Sequence, residues 1–442
     1  MMSRILTYLV FIFSAACSLL FSCDTASTVD DPTKNYFTKY YGGDGNQEGV
    51  DAVVGADGFI YLLGNSNELV STVGKQLYLV KTDADGKLVW EKTFGGKFDD
   101  EAKDIELTSD NRLVVLANSA KGSAENDILL MTFTVEGVKI DSALFPLKTI
   151  TGAEADDDAS SVSQTTDGFI ISGTTTSVTS KGSGGIVPED ITDALHIRVN
   201  NDLTIYANWS KTSGTIGSDG ATKVYQINPL TYYVFGYTNI NVGSTSTSDF
   251  DFWVYQLGGT GDPSTNQMYP GDVGTDEKLT SVIISPVQSG EGFLLAGTSF
   301  NPSNTSNNYN IYVNKLRKTL TFDESVDYQY KRPLSVSLGT LDTEKKEKVN
   351  VYASASSGFL LLTNEKLTTF NNFFLTKIDN EGNFTWTNPQ SLIFGGQKDD
   401  YIGAVAELPD GKIILMGTMS LGDEGQKKMV LIKVNKEGKF AN

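Results

Sequence analysis

The chain has 442 residues, 39% of them hydrophobic and 20% charged, which is length and apolar content enough for a substantial core. Its 54 acidic residues outweigh 35 basic ones, for a formal net charge of −19. A surface of that sign repels nucleic-acid phosphates and anionic lipid headgroups, which excludes both as partners of the folded part.

Residues 1–22 read as an export signal. Arg4 gives the positive start, and Ile5 to Phe21 is an uncharged apolar run just short of a full membrane span. The run ends in "LFSC", Leu20 to Cys23. These four residues resemble a lipobox, the site at which bacterial lipoproteins are acylated on cysteine and cut just before it. The resemblance implies lipidation of Cys23 and attachment to a membrane through the lipid. Removing residues 1–22 leaves 34 basic residues against 54 acidic. It also discards Cys17, so the mature chain would have no disulfide and no free thiol. Residues 23–34, "CDTASTVDDPTK", are polar and aperiodic, a flexible tether between the lipid and the folded part.

From residue 35 the chain repeats itself. "TFGGKFDD" (Thr93 to Asp100) returns as "IFGGQKDD" (Ile393 to Asp400). A tight turn and apolar strand recur seven times, as "DGFIYLLGNS" (Asp57), "DNRLVVLANS" (Asp110), "DGFIISGTTT" (Asp167), "LTYYVFGYTN" (Leu230), "EGFLLAGTSF" (Glu291), "SGFLLLTNEK" (Ser357) and "DGKIILMGTM" (Asp410). A further strand follows each in step, from "LYLVKTDADGK" (Leu77) to "MVLIKVNKEGK" (Met429). Short runs rich in Val, Ile, Phe and Tyr between Asp-Gly or Glu-Gly turns are strands joined as hairpins. No segment sustains a helical period. Four strands in each of seven units predict an all-β fold, a seven-bladed β-propeller over residues 35–442. "NYFTKYYGG" (Asn35) matches "LVWEKTFGG" (Leu88), a fourth strand with its entry loop, while the chain stops just after a third strand. The first strand is therefore expected to complete the last blade and close the ring, removing two exposed sheet edges.

The pattern Trp-x-Lys-x-Phe-Gly-Gly, acids, Asp-Gly, then a strand ending Gly-x-Thr resembles the propeller repeats common in exported proteins of Bacteroidota. The resemblance implies the fold and an envelope location, in the outer membrane with surface or periplasmic orientation left open. It implies no single activity, because propellers host many.

Two groups of residues are candidates for function. The loops between second and third strands, Thr174 to Thr192, Tyr237 to Phe250 and Thr298 to Asn310, are long and vary between units. Tyr237, Phe300 and Tyr309 near them could stack on a ligand. The entry loops share an acid five residues before a strand Val or Ile: Asp100, Asp157, Asp219 and Asp400, with Glu277 and Glu48 near the same place. These are expected to ring the mouth of the central channel. They could hold a cation such as Ca²⁺, or each could accept backbone N–H groups and fix its own turn. Recurrence in blade after blade favours the second.

Catalytic inventory is thin. His196 is the only histidine and sits within a strand, and four arginines remain after Arg4 is lost. No His/Cys metal set, phosphate loop or dinucleotide fingerprint occurs. The expectation is a monomeric, lipid-anchored binding or scaffold module for a protein or glycan, without catalysis or cofactor. A carboxylate-based glycan hydrolase or lyase is the alternative, because that chemistry needs only acids. A purely structural envelope lipoprotein is the third.

Overall fold

The computed structural model describes residues 35–440, apart from 68–73, 122–124, 149–153, 177–190, 216, 240–249, 273, 288–290, 301–308, 338–347, 368–369, 387–388 and 423–424. The signal segment, Cys23, the tether and most of the three long loops lie outside the described residues.

Seven antiparallel four-stranded sheets follow one another along the chain, as the repeat predicts. Blade 1 spans residues 47–94, blade 2 100–145, blade 3 157–213, blade 4 219–268, blade 5 276–337 and blade 6 349–394. Blade 7 takes three strands from 401–434 and its fourth from Phe37–Tyr41. That strand pairs antiparallel with Gln426–Val434, from Phe37↔Lys433 to Tyr41↔Met429. The ring closes as the offset ends require. The molecule is a seven-bladed β-propeller.

There is no single central core. Seven apolar clusters occur among the described residues, each shared by two neighbouring blades. Val114, Leu116 and Ile128 of blade 2, for example, pack on Ala159, Val162 and Phe169 of blade 3. Second and third strands are covered on both faces. Ile60–Ser66 and Gln76–Thr82 are buried throughout, which is why they read as continuous apolar runs rather than alternating ones.

The repeated motif is a staple between blades. In four of the blades an aromatic residue in the fourth strand, or just before it in blade 6, lies over the glycine of the next blade's last turn. A Cβ on Gly137 would fall 3.0 Å from the Trp90 ring, on Gly261 2.6 Å from Trp209, on Gly438 3.2 Å from Trp386, and on Gly86 2.5 Å from Phe37. All four glycines have positive φ, between 66° and 82°, so the turn needs glycine for its backbone as well as for this approach. The lysine two residues on reaches the same turn: Lys92 Nζ donates to Glu136 O (3.0 Å) and Gly137 O (2.8 Å), and Lys211 Nζ meets Asp262 Oδ1 at 3.0 Å. The first Asp of the "DD" pair holds the preceding third strand, Asp99 Oδ1 accepting from Lys75 N (2.6 Å) and Asp399 Oδ1 from Asn371 N (2.9 Å).

Among the described residues one element departs from the all-strand expectation. Glu324–Asp327 forms a single helical turn before the fourth strand of blade 5. Asp323 caps it, and the buried Asp327 carboxylate accepts from Thr321 N (2.9 Å) and Phe322 N (2.7 Å). One turn is too short to leave an apolar period in the sequence.

Candidate functional site: the central cavity

The entry acids do not surround the channel mouth. Asp100, Asp157, Asp219, Glu277 and Asp400 are all at most 2% exposed, and none of them borders the central cavity. They turn into their own blades, because side chains alternate along the innermost strand and this position faces away from the axis. Asp100 Oδ2 accepts from Gly96 N and Asp400 Oδ2 from Gly396 N, both at 2.7 Å. Asp219 Oδ2 accepts from Thr215 N (2.5 Å), and Glu277 from Asp272 N (3.2 Å) and Ser299 Oγ (3.0 Å). In blade 1 the position belongs to Gln47, paired with Ser66, and not to Glu48. Burial pushes Asp219 up to about 6, Asp157 up to about 7 and Glu277 up to about 8, and it raises Asp400 as well. Among the described residues no group of three or more His, Cys, Asp or Glu is placed to hold a metal ion.

The residue after each entry acid is the one that faces the axis. Along blades 1 to 7 it is Glu48, Glu101, Asp158, Gly220, Lys278, Lys348 and Tyr401. Two residues further on, six of the seven innermost strands carry a β-bulge, for example between Ala102 and Asp104. The extra residue breaks the alternation, so Lys103 and Asp104 both reach the channel, as do Ser160 with Ser161 and Thr222 with Lys223.

Of these side chains all but Glu48, Gly220 and Tyr401 line a cavity of about 1030 Å³. Its wall is cross-linked by charge. Lys223 of blade 4 spans back to Asp104 Oδ2 (3.4 Å) and Glu106 Oε1 (2.9 Å) of blade 2 and donates to Val162 O (2.7 Å) of blade 3. Lys103 bridges Glu101 (3.2 Å) and Asp158 (2.8 Å). Asp51 Oδ2 accepts from Ile105 N (3.1 Å) and Asp104 Oδ2 from Val162 N (2.8 Å), so each ties its blade to the next. Burial first, then the neighbouring Asp104, hold the Asp51 carboxyl well above the usual carboxylate range; burial also raises Glu106.

A second ring lies on the adjoining strand, and four of its members clamp the next blade. Its members are Asn65, Asn118, Thr174, Tyr237, Thr298, Asn364 and Thr418. Asn65, Asn118 and Asn364 each accept an N–H of the next blade, from Ala102 (2.9 Å), Ala159 (2.9 Å) and Ile402 (3.0 Å). Thr418 does the same across the closure, accepting from Gly49 N at 2.9 Å. Tyr237 instead lays its ring across its partner Gly220, where a Cβ would sit 2.5 Å from Tyr237 Cζ and 2.8 Å from Thr174. Glycine at 220 is what admits the ring to the cavity. Tyr237 makes an edge contact with Phe250 (5.8 Å), and Lys278 Nζ lies 4.6 Å from its ring centre. Burial pushes the Tyr237 hydroxyl up to about 12. Tyr309 also lines the cavity and stacks on Phe300 at 4.7 Å; Phe300 itself is not part of the lining.

Sequence reasoning finds Tyr237 and Tyr309 but places the acids one residue off. It misses Glu101, Lys103, Asp158, Lys278 and Lys348 altogether. Their signal is variation: the position after the entry acid changes sign along the chain while the acid itself recurs. His196 is fully buried between blades 3 and 4, sharing a 2.7 Å hydrogen bond with the Tyr255 hydroxyl. Burial lowers its pKa to about 3, so the ring stays neutral.

No protein-family model and no curated protein matches this chain. Solved structures of similar shape include the plexin A4 extracellular region (11% identity, 91% of this chain and 47% of that one, TM-score 0.46). They include an α-L-arabinofuranosidase of Fusarium graminearum (8%, 90% and 95%, 0.46) and the Pan2 WD40 domain of Neurospora crassa (9%, 93% and 98%, 0.45). The chain spans about half the length of the plexin chain it matches.

Proposed function

We propose that this protein is a non-catalytic binding module, anchored through a lipid on Cys23 in an outer membrane, which seats a protein or glycan ligand in the mouth of the central cavity. The observation that supports this reading is the double departure of blade 4. Gly220 gives up the axial charge and Tyr237 gives up the clamp between blades, and together they deliver an aromatic face to a polar cavity. The clamp is formed in blades 1, 2, 6 and 7, and blade 4 is the one that carries an aromatic side chain at the ring position and turns it into the cavity. Replacing Tyr237 with alanine should abolish ligand capture from envelope extracts while the melting temperature stays within a few degrees. Unchanged capture would refute the site. Protease treatment of intact cells, against a periplasmic control, tests on which side of the membrane it lies.

A second reading, a carboxylate-based glycan hydrolase or lyase, is favoured by Asp51. Burial and the neighbouring Asp104 raise its carboxyl well above the usual carboxylate range, and the two carboxyl groups line the same cavity. It requires turnover of some polysaccharide that Asp51→Asn eliminates; polysaccharides that bind without being cleaved would rule it out.

A further inference from the structure

Where one blade meets the next, its buried entry residue faces a side chain at the start of the previous blade's third strand. The backbone fixes the meeting. Asp100 N, Asp219 N, Glu277 N and Asp400 N donate to the carbonyls of Lys75, Thr192, Phe250 and Asn371, each one residue before the facing position. At three boundaries the facing residue is an amide or a lysine. Gln76 lies beside Asp100 and Asn372 beside Asp400, and Lys428 Nζ donates to Gln47 Oε1 at 2.7 Å. At the three consecutive boundaries from blade 2 to blade 5 it is a second acid: Asp127 against Asp157, Asp193 against Asp219 and Asp251 against Glu277. A Cβ on Gly271 would fall 2.2 Å from Asp251 Oδ1 and 2.9 Å from Glu277 Oε2, so those two oxygens lie within about 5 Å of each other. A Cβ on Gly395, in the same loop of blade 7, would meet Asn372 Oδ1 at 2.1 Å and Asp400 Oδ2 at 2.7 Å.

Two carboxyl groups this close and out of water do not both ionise, and one of them keeps its proton. Burial first, and then the facing acid, raise Asp157 to about 7, Asp219 to about 6 and Glu277 to about 8. The surroundings of the three pairs differ. Asp127 is met by Lys121 Nζ at 2.5 Å, which also approaches Glu154 at 3.7 Å, and Asp156 adds its charge beside Asp157. Asp219 has Thr215 and Thr238 as donors, with Tyr237, Tyr255 and Tyr269 around it and the neutral His196 behind Tyr255. Glu277 accepts from Asp272 N, Thr275 and Ser299, with Tyr312 and Tyr328 beside the pair and Lys331 bound to Asp272 at 3.1 Å.

We propose that the boundaries from blade 2 to blade 5 are held by protons shared between facing carboxyl groups, which makes this arc the part of the ring that loosens first as pH rises. The stabilisation is complete at low pH, where each pair keeps its proton, and is lost as pH passes through the folded-state values. Blades 2–5 supply most of the cavity lining, so the loosening reaches the cavity.

Asp51, Glu106, Glu365 and Asp400 are also raised but lie outside these pairs, so the test compares regions and variants of the full-length protein. Hydrogen exchange is read by mass spectrometry at pH 5 and pH 8.5 and corrected for the intrinsic effect of pH. Protection of residues 219–228 and 276–285 should fall at least tenfold more than that of residues 47–54. Asp193→Asn and Asp251→Asn, which copy the amide at 372, should each cancel the difference at their own boundary. Asn372→Asp should create the same loss in residues 401–407. Circular dichroism at pH 5, where the pairs are protonated, confirms that each variant is folded. Equal loss of protection around the ring, amide variants that keep the wild-type pattern, or an Asn372→Asp protein without the new loss each overturns the proposal.

Discussion

Blades 2 and 4 have the same four strands, the same bulge and the same buried entry acid, and differ on the channel side, most sharply at one facing pair of positions. Blade 2 places Glu101 at the axis, and Asn118 locks it to blade 3, accepting from Ala159 N and donating to Asp158 Oδ1 at 2.8 Å. Blade 4 has Gly220 and Tyr237 there, with no such lock. In a ring of near-copies stability sums over the blades and their interfaces, so a contact missing from one interface marks where the copies diverge. The contrast also separates two kinds of acid. Those that recur are buried and hold turns, whereas those that vary from blade to blade face the cavity.

The largest effect that would sharpen this contrast comes from pH. Asp219, Asp157 and Glu277 have folded-state values of about 6, about 7 and about 8, above their ordinary ones, because burial penalises the charged form. The folded state therefore binds more protons than the unfolded state between about pH 4 and 8. The stabilisation is complete below about pH 4 and is lost as pH rises through the folded values. Urea melts across that range should show stability falling with pH, and Glu277→Gln should flatten the slope. A slope unchanged in the variant would show that the entry acids do not control it.

Next is the staple. Trp209 is 1% exposed, donates from Nε1 to Gly259 O at 3.1 Å and covers Gly261 of the next blade. Trp209→Ala should cost about 3–5 kcal/mol in chemical denaturation. Gly220→Asp, which gives blade 4 the side chain of blade 3, should cost about 1–3 kcal/mol by driving a Cβ into the Tyr237 ring. The same variant should lose ligand capture, and normal capture would mean that the ring position is irrelevant. The smallest effect belongs to the lock itself. Asn118→Ala strands the buried Ala159 N–H for about 1–3 kcal/mol, and it should leave capture unchanged.

The sequence shows the blades, the staple and the ring closure because their motifs recur, and recurrence marks contacts that several blades share. Trp90, Lys92 and Asp99 are visible for that reason. The cavity is less legible. Alternation along an innermost strand gives the right face only as far as Ala102, after which the bulge at Lys103 shifts every later residue by one. Nothing local in "DEAKDIEL" announces that extra residue. Tyr237 stands out from its own sequence as an aromatic among Asn and Thr, but its path into the cavity depends on Gly220 across the strand pair, a contact between residues 17 apart in the chain.

The closure has a consequence for how the chain folds and how it bears load. Residues 37–41 leave the ribosome before any blade and wait unpaired until residues 426–434 emerge, so the ring is sealed only after the last blade has been made. Six blades can stack in order before that moment. Once sealed, the seam is a pairing of five residues that joins the two ends of the ring. Tension applied through the N-terminus is borne first along this strand, in shear, so the seam is the place where a pulled molecule opens while the other six blades stay folded.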